Sequence, residues 1–264
     1  ACQSPVRTLV FVSMDEGIES RLDSCGARLI DSRGGVGIVD VRVDSMQALG
    51  VGYSYDSALR LNRHTKPCLD SIQGMSNVSA AYYGQHLPSA FRGRGVVMGI
   101  MDVGFDLSNP TFLDASGNSR FKAFWDMLDT TSISVSTREN TGVSTATMPV
   151  GRAYEGDELA EITHSTDSHL QFHAAHTLGI AAGNGADTPY RGIAPESEIC
   201  AVNNAVSSDL PLIDSTMYYM YTSATDALGF KYIFDYADRV GKPCVISFSE
   251  GFMPTYGEEE WLMN

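Results

Sequence analysis

Residues 96–112 read VVMGIMDVGFDLSNPTF, and the chain is organised around this stretch. Val96, Val97, Met98, Gly99, Ile100 and Met101 form a continuous apolar run led by Arg92-Gly93-Arg94-Gly95, the pattern of a central parallel strand covered on both faces. The run carries one carboxylate, Asp102, to its carboxyl end and stops in Val103-Gly104. Open α/β sheets gather ligand and catalytic groups at that end of their strands. On this stretch alone, Asp102 is either such a group or the cap of the turn that follows.

Further along, residues 172–185 read FHAAHTLGIAAGNG, a helix pattern with His173 in its first turn and His176 one turn later. The small residues Ala181, Ala182 and Gly183 allow close packing before the glycine stop. An aspartate followed by a histidine suggests a catalytic pair. Two histidines three apart also fit half of a metal site, or one core and one surface histidine.

Together the two stretches resemble those of the subtilisin-like serine peptidases. Asp102-Val103-Gly104 resembles the family's Asp-Thr/Ser-Gly, and Asp106 with Asn109-Pro110 the Asp-x-x-His-Pro that follows it. His173-Ala174-Ala175-His176-Thr177-Leu178-Gly179-Ile180-Ala181-Ala182-Gly183 resembles His-Gly-Thr-His-Val-Ala-Gly-Ile-Ala-Ala-Gly. Tyr190-Arg191-Gly192-Ile193-Ala194-Pro195 is similar to a Gly-Val-Ala-Pro turn, and Lys242-Pro243-Cys244-Val245-Ile246-Ser247-Phe248-Ser249-Glu250-Gly251 to Pro-Val-Ile-Asn-x-Ser-Leu-Gly. The four motifs occur in the family's order. The departures fall on the cleft: Ala174 and Ala175 replace Gly and Thr, and Glu250 replaces Leu. No Gly-Thr-Ser-Met-Ala nucleophile motif and no Asn-bearing oxyanion segment occurs up to Asn264.

The resemblance implies a subtilisin-like, doubly wound parallel α/β sheet, incomplete here, with Asp102 and His173 as two members of a catalytic triad. The third, a serine, is expected beyond residue 264, so this stretch alone is expected to be inactive. Ser247, Ser249, Glu250 and Gly251 would form the edge that pairs with substrate backbone, and Glu250 would favour basic or polar substrate side chains. His164 and His169 flank Asp167 and rival His173 as base, although neither opens an Ala-rich helix.

The 264 residues suffice for one large domain or two smaller ones. Hydrophobic residues at 43% and charged ones at 19% describe a globular, water-soluble chain. No apolar run approaches the ~18 to 20 residues of a spanning helix. A net charge of -14 disfavours a nucleic-acid partner, because phosphate binding draws on clustered Lys and Arg. Cys2, Cys25, Cys68, Cys200 and Cys244 are too few and scattered for a disulfide scaffold, and no Cys-x-x-Cys pair suggests zinc.

Residues 1–7 form a tail whose Ala1-Cys2 resembles the end of a bacterial lipobox, which implies export and a lipid anchor on Cys2 at the cell envelope; a plain cysteine near a frayed terminus is the other reading. Residues 8–66 read as β-α-β-β-α-β, a small ferredoxin-like α+β unit: a strand at 8–14, a helix at 15–24, two strands at 27–43 meeting at Arg33-Gly34-Gly35, a helix start at 44–49 and a strand at 57–63. Its place ahead of the Asp102 strand resembles the family's propeptide, an inhibitor whose exit crosses the cleft. Residues 67–76 read as a linker and 77–264 as the peptidase-type domain.

Within that domain, residues 111–113 and 121–125 read as a hairpin turning at 114–118, and 126–167 as a long polar surface insertion. Glu155, Asp157, Glu158 and Glu161 lie there without an EF-hand pattern, so a solvated acidic face is expected and no cofactor; structural calcium is not predicted. Strands are expected at 198–202 and 244–248, flanking the Asp102 strand and leaving Cys200 and Cys244 as buried free thiols. Between them lies a helix at 226–240 with Ala227, Phe230, Ile233, Phe234 and Ala237 on its buried face, and a further helix begins at 256–264.

Two function classes remain: a serine endopeptidase acting on peptide or protein substrates, and a pseudoprotease or binding module that keeps the fold without the chemistry. A nucleotide-binding domain has no support, since no Gly-x-Gly-x-x-Gly or P-loop follows a strand.

Overall fold

The computed structural model describes residues 6–49, 78–130, 148–188 and 190–249, which divide into two units. In the first, strands β1 (Arg7–Ser13), β2 (Arg28–Arg33) and β3 (Val36–Arg42) form an antiparallel sheet in the order β1-β3-β2. Gly34 and Gly35 both take positive φ, which a two-residue hairpin of matching twist requires. The helix Ile18–Cys25 buries Ile18, Leu22 and Cys25 at the spacing of one helical face, against Val10, Val12, Val39 and Val41. β3 thus lies between β1 and β2, which run parallel to each other. The expected second helix start is a 3₁₀ turn, Val43–Leu49, that buries Met46 and Leu49; residues 57–63 lie outside the described residues.

The sequence pattern groups residues 205–231 with 77–264, whereas in the structure Ala205–Lys231 belongs to the first unit. The buried hydroxyl of Thr8 donates to the Tyr219 carbonyl, and the Thr222 hydroxyl donates to the Leu9 carbonyl at 3.0 Å. Both bonds tie this segment to β1.

The second unit is a five-stranded sheet of β4 (Val97–Asp102), β5 (Phe121–Asp126), β6 (Arg152–Glu155), β7 (Glu198–Asn203) and β8 (Cys244–Phe248), in the order β6-β5-β7-β4-β8. β5, β7, β4 and β8 are parallel, and β6 is an antiparallel edge. The apolar 96–101 run becomes a strand flanked on both sides by parallel neighbours, as its composition leads one to expect. On one face, Ala174, Leu178 and Ala182 of the helix His173–Ala182 pack among Ile100, Phe121, Phe124, Ile199 and Ala201. On the other, a Cβ at Gly99 would stand 2.5 Å from Ile233 Cγ2, so glycine is what admits the helix Ser223–Val240 to the sheet.

That second helix is rotated from its expected face. Tyr232, Ile233, Tyr236 and Ala237 are buried, while Phe230 is half-buried and Phe234 is 44% exposed. The spacing of one, three and four residues selects a stripe that steps past Phe234. The 126–167 stretch is also more than a surface insertion, because β6 and the helix Gly156–Ala160 lie in it and bury Tyr154 and Leu159. A four-residue edge strand is too short to show a period in sequence. The 114–118 turn closes as expected, with Leu113 bridged antiparallel to Ser119, but the residues before it form a 3₁₀ turn, Pro110–Phe112, capped by the Asn109 side chain.

Cys200 on β7 and Cys244 on β8 stand either side of β4 as free thiols, with Cys25 free as well. Cys200 is buried as expected, but Cys244 is half-exposed because β8 is an edge among the described strands. Burial raises both pKa values, well above the ordinary range for Cys200. Arg120 is buried before β5 and donates to the carbonyls of Thr111, Leu113, Ser197 and Ala182, the last ending the His173 helix. Burial lowers its pKa to about 10. Among the described residues no helix is long and apolar enough to cross a membrane.

Candidate active site

Asp102 ends β4, and the backbone turns at once through Gly104, at φ 76°. A Cβ there would lie 2.3 Å from the Gln171 carbonyl carbon, so only glycine lets the turn touch the segment that opens the next helix. The first amides of that helix have no partner within it. Ala174 N–H donates instead to the Val103 carbonyl at 2.7 Å, and Ala175 N–H to that of Gly104 at 3.3 Å. These bonds fix the start of the helix, and with it His173, against the end of β4. Ala174 is fully buried at this junction.

The result is a close acid-imidazole pair. His173 Nδ1 lies 2.6 Å from Asp102 Oδ1, with the two residues 8% and 1% exposed. The same oxygen accepts from Val103 N–H at 2.8 Å, and Oδ2 accepts from the Thr177 hydroxyl at 2.7 Å. A carboxylate held by these donors presents a fixed acceptor to Nδ1, which favours the tautomer carrying hydrogen there and puts the ring's lone pair on Nε2.

The neighbouring strand ends carry a second polar row. Asn203 stands beside Asp102 in register and Asp126 beside Asn203. Asn203 Oδ1 accepts from Gly104 N–H at 3.2 Å, and its Nδ2 donates to Asp126 Oδ1 at 3.0 Å. Asp126 also accepts from Leu128 N–H, Thr166 N–H and the Thr166 hydroxyl. Burial nevertheless raises its pKa.

Of the three candidate bases, His173 alone meets Asp102. His164 is exposed beside Thr163, with Nε2 3.5 Å from Asp106, and His169 is exposed. Ser247 lies on β8 opposite Ile100, and Ser249 follows that strand in an exposed position. Glu250, Gly251 and Cys2 lie outside the described residues. Glu155 pairs with Arg239 and Glu158 with Arg152, and among the described residues no three His, Cys, Asp or Glu side chains gather as a metal site. Thr177, Asn203 and Asp126 escaped the sequence reading. Thr177 had a signal, its place four residues after His173 on the same helical face.

No protein-family model and no curated protein matches the chain. Among solved structures it is similar to the CspB protease of Clostridium perfringens, at 17% identity over 71% of this chain and 37% of that one, TM-score 0.45. It is also similar to fervidolysin from Fervidobacterium pennivorans, a keratinolytic enzyme related to subtilisin, at 13% identity over 98% of this chain and 37% of that one, TM-score 0.49. Both are proteases. The chain spans 37% of the length of each.

Proposed function

We propose that Asp102 and His173 are the acid and base of a subtilisin-like serine endopeptidase whose nucleophilic serine is carried beyond residue 264. The observation that carries the reading is the buried 2.6 Å contact between Asp102 Oδ1 and His173 Nδ1 at the carboxyl end of a central parallel strand. A serine hydroxyl is a weak nucleophile until a base takes its proton. His173, held by Asp102 with hydrogen on Nδ1, would take that proton at Nε2, and the carboxylate would stabilise the resulting imidazolium.

β8 pairs only with β4 among the described strands, which supports a role for Ser247, Ser249, Glu250 and Gly251 as the edge that takes an extended substrate. The β3-centred sheet of the first unit supports the reading of residues 8–66 as a ferredoxin-like, propeptide-type inhibitor. A lipid on Cys2 would hold the exported protein at the cell envelope, and the mass of the N-terminal peptide from native protein reads it directly.

The test is hydrolysis of casein by the chain extended through its serine-bearing segment, after cleavage within residues 67–76. Cleavage of internal peptide bonds, lost in His173→Gln, supports the reading. Ala174 and Ala175, where the family's motif has Gly and Thr, favour the second reading, a binding module without chemistry. Intact casein in the presence of the serine would select it.

A further inference from the structure

We infer that Thr177 is a positioning residue, its hydroxyl fixing the Asp102 carboxylate so that the opposite oxygen accepts the hydrogen bond from His173 Nδ1. The inference rests on the proposed acid-base pairing of Asp102 and His173, and it adds a member that the resembling motifs do not contain. They carry Thr or Ser where this chain has Val103, and Val where it has Thr177. Here the hydroxyl stands on the helix, and the residue after Asp102 is the wholly aliphatic Val103.

Geometry decides where the hydroxyl's single proton goes. Thr177 Oγ1 lies 2.7 Å from Asp102 Oδ2, against 3.2 Å from the His173 carbonyl and 3.3 Å from that of Ala174. A helical threonine commonly bonds back to the carbonyl four residues earlier. Were that so here, the hydroxyl's lone pairs would face a carboxylate at 2.7 Å, a repulsive contact. Donation to the anion is shorter and charge-assisted.

Among the described residues Thr177 is the donor to Oδ2, while Val103 N–H and His173 Nδ1 occupy Oδ1. The carboxylate is therefore held from both oxygens, by the backbone that follows its own strand and by the helix that also carries the imidazole. Without the hydroxyl, Oδ2 is a buried charge-bearing atom lacking that donor, and the group gains by rotating away from the ring.

The experiment needs no catalytic activity. The 264-residue chain, labelled with ¹⁵N-histidine, is studied by NMR at an alkaline pH at which the ¹⁵N shifts of the His173 ring show it to be neutral. His173 is assigned by the signal lost in His173→Gln. The wild type should show one tautomer with hydrogen on Nδ1 and slow exchange of that proton. Thr177→Val, which keeps shape and removes only the hydroxyl, should give a mixture of tautomers and exchange faster by about five- to tenfold. Thr177→Ser should restore the single tautomer. The inference is overturned if Thr177→Val matches the wild type, or if Thr177→Ser gives the same mixture as Val. Amide signals away from the site report whether each variant is folded. An inactive longer chain would sink the peptidase reading and leave this result standing.

Discussion

Asp102 and Asp126 are both buried at the carboxyl ends of strands in one sheet, yet their partners give them different work. Asp102 faces an imidazole, whereas the four donors to Asp126 are two backbone amides, an amide side chain and a hydroxyl. Asp126 therefore holds loops in place. Asp126→Asn would turn an amide group toward donors and should cost about 2 to 4 kcal/mol in denaturant unfolding. Its pKa is raised from 3.8 chiefly by burial, so the folded state binds more protons than the unfolded one above that pH. The stability this supplies is full below 3.8 and is lost as pH rises through the folded value. The gap between wild type and Asp126→Asn should accordingly narrow from acid toward neutral pH; a widening gap contradicts the assignment. Asp102 and His173 were legible in sequence because each sits at the end of a strong pattern, an apolar run and an Ala-rich helix. Asn203 and Asp126 were not, because their place beside Asp102 depends on strand register that no local pattern encodes.

The start of the His173–Ala182 helix is built on contacts too close for any side chain at residue 104. In Gly104→Ala the new Cβ would meet Gln171 C, Gln171 O and Phe172 N at 2.3 to 2.5 Å, at a φ that L-residues avoid. A loss of about 3 kcal/mol or more is expected, a fall in Tm on the order of 10 °C, together with loss of the single His173 tautomer. Calorimetry showing an unchanged Tm would mean that the turn opens freely and does not fix the helix. Elements with long patterns were readable, as β4 and this helix show. β6 carries too little pattern to read, because Tyr154 is its one buried side chain, and Phe234 lies off the buried stripe because that stripe follows Tyr232, Ile233, Tyr236 and Ala237.

Across the whole molecule, the division into units cuts the chain in a way no linker composition announces: residues 205–231 leave the parallel-sheet unit to join β1 through Tyr219 and Thr222. A chain shortened to begin at residue 65 should therefore exchange amide hydrogens faster at 215–222, while 97–102 and 173–182 keep their protection. Equal loss in all three segments would show that the second unit does not hold its own fold. The proposed role of the Asp102–His173 pair is to serve a serine. It is tested most directly by treating the chain extended past residue 264, cleaved within residues 67–76, with a fluorophosphonate probe and mapping the adduct by mass spectrometry. An adduct is expected on one serine beyond residue 264, formed about 10³ to 10⁴ times more slowly in His173→Gln and Asp102→Asn. No adduct, or one formed equally fast in His173→Gln, would contradict it.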